Sequence, residues 1–157
     1  MSNALKLETQ ILDNTVKIEI IGQIDEDSNF DKIIAIHQDI YIFNLGKVTL
    51  INSCGVREWI NFLEKLPDES RIVYSDVPQI VVEQINMVEG FLKAESQIES
   101  FFAPYYSQEK DEVISILLSI DQVRDGKAPE IKDDDGNTLE FDAIEAQYFN
   151  FIKQQGL

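Results

Sequence analysis

A single cysteine, Cys54, and a single histidine, His37, take most routes to catalysis and metal binding away from this chain of 157 residues. One cysteine excludes an internal disulfide framework, so the compartment expected is the cytoplasm. A zinc site needs several Cys or His at ligand spacing, and no such set surrounds His37, which is expected to be a satisfied or surface histidine. Basic residues are scarce too: 13 Lys and Arg stand against 29 Asp and Glu, a formal net charge of −16. That surface repels phosphate backbones and anionic lipid, so neither nucleic acid nor a membrane is expected as a partner. A basic protein partner is allowed by the charge without being required by it. No apolar run approaches the ~20 residues of a spanning helix, and the N-terminus lacks the charged-then-apolar pattern of a signal peptide. There is no Gly-rich phosphate loop and no nucleophile paired with a base. No cofactor and no metal are expected, and no residue is assigned a catalytic role.

What the chain does have is alternating apolar periodicity. Residues 5–12 and 16–21 read as strands, with Val16, Ile18 and Ile20 alternating against Lys17 and Glu19, and Asp13-Asn14 makes a two-residue hairpin turn between them. Glu26-Asp27-Ser28-Asn29 opens a short helix carrying Phe30, Ile33, Ile34 and His37. Ile40-Tyr41-Ile42-Phe43 is the unbroken run of a strand buried on both faces, followed by a polar, Gly-containing loop. Val56, Trp59, Ile60 and Leu63 then place one apolar stripe on a helix running to about Leu66. Ser53 is read as the N-cap of that helix, its hydroxyl at the positive end of the dipole, where free backbone N–H groups would also hold a phosphate. A strand at 71–74, a helix with Pro78 in its first turn and Val81, Ile85 and Val88 on its stripe, and a last strand over 97–103 closed by Pro104 complete the series. Strands alternating with helices predict an α/β domain over residues 1–104: a small mixed sheet, mainly parallel, with its helices mainly on one face.

Residues 105–157 read as an extension. The apolar runs 98–103 and 113–118 predict a long hairpin, and Asp134-Asp135-Gly136-Asn137 predicts a further turn. Asp142 with Glu145 reads as a capping box opening a C-terminal helix in which Ile144, Tyr148, Phe149, Phe151 and Ile152 supply apolar surface. Asp133, Asp135 and Gly136 have part of a calcium-loop spacing, but Ile131 occupies the first ligand position and Asp142 the twelfth, so a hairpin turn is expected instead. Of the aromatics, Trp59 falls on the core stripe, whereas the Tyr105-Tyr106 pair beside a turn is the candidate for exposure.

The order of strand, polar loop and Asn52-Ser53-Cys54-Gly55 at a helix start resembles the STAS domain, the fold of bacterial anti-sigma factor antagonists. That family's motif reads Asp-Ser-x-Gly, so Ser53 falls on its Ser and Gly55 on its Gly. Gly22-Gln23-Ile24-Asp25 resembles the family's Gly-x-Leu-Asp, and Phe43-Asn44-Leu45 its hydrophobic-Asp-Leu. The resemblance spans roughly residues 16–92; Asn44 and Asn52 stand where the family has Asp. It implies phosphorylation of Ser53 by a partner kinase that is also an anti-sigma factor; Thr49, apart from the motif, is the second-choice candidate. Ala103-Pro104-Tyr105-Tyr106 and the Phe141-Asp142 to Phe151 ending resemble a zinc-ribbon tail found on some bacterial STAS-like proteins. Its cysteine pairs would fall on Ser107 and Lys110 and near Lys132 and Asp135, none of which makes a Zn–thiolate bond, so a metal-free extension held by packing is implied.

The function expected is that of a non-enzymatic signalling protein that docks a protein partner through Asp25, Asn52, Ser53, Cys54, Gly55 and Arg57. Phosphate on Ser53 would repel an acidic partner and pair with Arg57, one turn on, with Lys47 helping from the preceding loop. Three alternatives stay open: a constitutive scaffold, a module sensing a small ligand or anion, and an enzyme using Cys54. Cys54 itself is expected to be a small buried residue. The oligomeric state is left open.

Overall fold

A computed structural model of the chain describes residues 4–154. The strand β1 (Lys6–Leu12) turns at Asp13-Asn14 into β2 (Thr15–Ile24), with Asp13 at a φ of 55° and Leu12 opposite Thr15, as the two-residue turn requires. The short helix α1 (Asp31–Ile34) leads to β3 (Ile40–Ile51), then α2 (Ser53–Glu64), β4 (Arg71–Ser75), α3 (Gln79–Met87) and β5 (Gln97–Ile98). The sheet order is β1-β2-β3-β4-β5, antiparallel in the first pair and parallel thereafter. Successive parallel strands joined by crossovers of one hand send every connecting helix to the same face. On that face Val16, Ile18, Ile20, Tyr41, Phe43, Ile72 and Tyr74 are buried beneath Ile33, Trp59, Phe62, Val81 and Ile85. The molecule is α/β, as its alternating pattern predicts.

The second sheet comprises β6 (Ser100–Ser107), β7 (Glu112–Ser119), β8 (Ile131–Lys132) and β9 (Thr138–Phe141), in the order β7-β6-β9-β8. Two short helices, α4 (Glu145–Tyr148) and α5 (Asn150–Gln154), return the chain to α3. The Asn86 side chain donates to the Tyr148 carbonyl at 2.9 Å, and the Tyr148 hydroxyl to the Phe102 carbonyl at 2.6 Å. Phe101 meets Tyr148, Phe149 and Phe151 within one continuous apolar core that spans both sheets.

Several expectations are corrected. The strand starting at Ile40 does not give way to a loop: it runs twelve residues, because Leu45, Val48 and Ile51 remain buried while two register shifts against β2 absorb the irregular polar stretch. Nor is it buried on both faces, since Ile40 and Ile42 lie half-buried on the side without helices. The helix expected to reach His37 stops at Ile34, where Tyr41 intervenes by donating its hydroxyl to the Ile36 carbonyl at 2.5 Å; His37 is exposed. The strand expected over 97–103 divides at Glu99 between the two sheets, and Pro104 lies inside β6. Tyr105 is buried, its hydroxyl donating to the Pro129 carbonyl at 2.8 Å, and only Tyr106 of that pair is half-exposed. The capping box at Asp142 and Glu145 does not form. Ile144 occupies the N-cap, and Glu145 instead accepts the Ala128 N–H at 2.6 Å, while a capping box joins Ser119 to Gln122 at the 3-10 turn Ile120–Val123.

Candidate docking site at the start of the second helix

The parallel strands β2 and β3 end side by side at Ile24 and Ile51, and the chain leaves each through a turn. After Ile24, Asp25 to Ser28 fold into a compact turn: Asp25 N–H donates to Ser28 Oγ at 2.9 Å and Asp27 N–H to Asp25 Oδ1 at 3.0 Å. After Ile51, Asn52 N–H donates back to the Ile24 carbonyl at 3.3 Å and tethers the two strand ends. The N-cap of α2 is Asn52, not Ser53: its Oδ1 accepts the Gly55 N–H at 2.7 Å. A carboxamide one residue earlier satisfies the same orphan N–H groups, so the Ser53 hydroxyl is displaced into the first turn and left exposed. Asn52 Nδ2 also donates to Glu26 Oε2 at 3.0 Å; Glu26's own backbone N–H, and after it this bond, hold the Glu26 carboxyl below the usual carboxylate range.

Gly55 is buried, not part of the surface. A Cβ there would stand 2.0 Å from the Ile24 carbonyl oxygen, so its role is to let α2 approach β2. Cys54 is exposed rather than buried, because the first turn of α2 projects past the strand ends. Arg57 is exposed and forms no ion pair among the described residues. Thr49 is exposed on β3. Lys47, expected in a loop near Ser53, lies within β3 and pairs with Glu19 at 3.1 Å. Asp25, Asn52, Ser53, Cys54 and Arg57 thus share one end of the sheet, and the structure removes Gly55 and Lys47 from that surface.

Asn44, where the resemblance expects Asp, builds something the sequence reading missed. Its Nδ2 donates to Asp76 Oδ2 at 3.1 Å, and Ser100 Oγ donates to Asp76 Oδ1 at 3.1 Å while accepting the Asp76 N–H at 2.8 Å. Asp76 has a φ of 51°, the left-handed region, and this bonding holds it there. Three polar residues 24 and 32 positions apart carry no local pattern, so nothing in the sequence marks the network.

Among the described residues, the group whose ligand atoms converge closely enough for a cation is Glu109, Asp133 and Asp135, all within 4.8 Å of one another. The geometry is that of the expected turn: Asp133 Oδ1 accepts N–H bonds from Asp135 at 3.0 Å and Asn137 at 2.9 Å, and the Asn137 amide reaches Glu109. These bonds hold the Asp133 carboxyl below its ordinary value, that from Asn137 the most. Ser107, at a position the ribbon resemblance gives to cysteine, is buried and accepts the Lys110 N–H at 3.2 Å. The chain matches no protein-family model and no curated protein.

Proposed function

We propose that this chain is a non-enzymatic regulatory protein, STAS-like in kind, which docks a protein partner through the turn at Asp25 and the first turn of α2. The observation that carries this reading is that Asn52 does the capping and leaves the hydroxyl of Ser53 unused and exposed, beside exposed Cys54 and Arg57. A Ser that is not consumed by its own helix is accessible to a kinase of the anti-sigma type that the resemblance implies. Phosphate on Ser53 adds roughly −1.5 to −2 charges, with Arg57 the nearest unpaired cation along α2.

A constitutive version of the same docking is favoured by a different observation. Glu26 is tied to Asn52, next to Ser53, and a carboxylate there opposes a second anion. Phosphopeptide mass spectrometry on protein taken from its own cells, growing and starved, separates the two. Trypsin releases residues 48–57 as one peptide carrying Thr49 and Ser53. Condition-dependent phosphate on Ser53, with loss of partner capture by Ser53→Asp, is the expected result. Absence of phosphate in both states, with Ser53→Asp capturing the same partners, leaves the constitutive form. Unchanged capture by an Arg57→Glu, Cys54→Arg double variant overturns docking at this surface.

A further inference from the structure

We infer that β1 is a self-pairing edge, and that two copies of this chain associate by antiparallel pairing of β1 with β1 about Thr9. This proposal is independent of Ser53. The strand lies at the outer edge of the five-stranded sheet, and no other strand pairs with its far side among the described residues. Its two-residue hairpin sets which backbone groups point outward. With Leu12 and Thr15 as the closing, hydrogen-bonded pair, Lys6, Glu8, Gln10 and Leu12 bond inward to β2, and Leu7, Thr9 and Ile11 present their N–H and C=O to the outside. One contact confirms the parity: Lys32 Nζ, from α1, donates to the Leu7 carbonyl at 2.9 Å. That carbonyl has a second lone pair, so the contact does not close the edge.

The residues on this edge complement themselves. Antiparallel pairing about Thr9 sets Thr9 opposite Thr9, Leu7 opposite Ile11 of the second copy, and Glu8 opposite Gln10. Like charges never face each other, and each Glu8 is already neutralised by Lys6 at 3.1 Å. Ile11 and Leu12, 54% and 63% exposed, lie on opposite faces at the end of this strand, where the pairing sets Ile11 beside Leu7 and Leu12 beside the Lys6 stem of the second copy. Electrostatics select a second copy as the occupant. The charged residues of β1 are Lys6 and Glu8, which cancel, whereas the whole chain carries 29 acidic residues against 13 basic. Two molecules of charge −16 therefore meet along a strand that carries no net charge of its own. A strand of seven residues is a short contact, so the dimer is a weak one.

Sedimentation velocity on the full chain, up to about 1 mM, tests this. The mass is expected to rise toward that of a dimer with concentration. Thr9→Pro is expected to abolish the rise while leaving circular dichroism unchanged, because the N–H it removes points outward. Gln10→Lys, facing Glu8 of the second copy twice by symmetry, is expected to tighten the dimer, and Gln10→Glu to loosen it, each by roughly 2- to 30-fold. Within one chain Gln10 faces Lys17, so Gln10→Glu strengthens its own hairpin and a looser dimer does not come from misfolding. A chain monomeric throughout, a dimer that survives a folded Thr9→Pro, or Gln10 variants that move in the same direction overturns the proposal. Should Thr9→Pro fail to fold, the opposed responses at Gln10 decide alone.

Discussion

Gly55 and Tyr74 show how much single atoms decide here. The backbone of α2 passes so close to β2 that a methyl at position 55 overlaps the Ile24 carbonyl, a backbone atom that cannot swing aside. Gly55→Ala is therefore expected to destabilise the fold by about 1–3 kcal/mol, read as a lower midpoint in urea unfolding. A midpoint unchanged within error would show that the two elements separate without penalty. Tyr74 is the opposite case. Its ring is packed in the core between Phe43 and Trp59, but its hydroxyl has no hydrogen-bond partner among the described residues, and burial pushes its pKa far upward. Removing that hydroxyl deletes an unsatisfied polar group and leaves the ring packing intact, so Tyr74→Phe is expected to stabilise by about 1 kcal/mol. A loss of stability would reveal a partner for the hydroxyl.

At the scale of elements, one turn is tied to the ionisation of a single carboxylate. The turn between β8 and β9 depends on the ionised Asp133 carboxylate, which accepts backbone N–H bonds from Asp135 and Asn137. Its folded pKa lies below the unfolded value, so the stabilisation is complete above the unfolded pKa and is lost as pH falls through the folded one. In an NMR titration the amide signals of Asp135 and Asn137 are expected to move together with that low apparent pKa. Independent movement, or a midpoint at the ordinary Asp value, would remove Asp133 from the turn's support. The Asp13-Asn14 and 134–137 turns were legible because turn chemistry is local, and α2 was legible from its apolar stripe. The cap was misplaced by one residue because Asn52 and Ser53 are both good N-caps, and only the position of the strand end beneath them selects Asn52.

On the scale of the whole molecule, the two sheets share their interior. Phe101 on β6 is enclosed by α5 and the Tyr148-Phe149 pair, and Val77, after β4, bridges to Phe101. A core without a seam is expected to unfold in one cooperative transition, with aromatic and far-ultraviolet circular dichroism melting at the same temperature. Two separated transitions would show that the second sheet folds on its own. No helix among the described residues is long and apolar enough to cross a membrane.

The sequence by itself determined the α/β class, the order of most elements and the apolar stripe of α2, because periods of two and of 3.6 residues are written in consecutive positions. It placed the start of α2 at Ser53 to within one residue, reading as the N-cap a serine that lies in the first turn. Tertiary structure alone decided that Cys54 is exposed and Gly55 buried, that β3 runs on to Ile51, and that Asn44, Asp76 and Ser100 meet. Each of these depends on what approaches from a distant part of the chain, and a packing contact between residues tens of positions apart leaves no periodic trace.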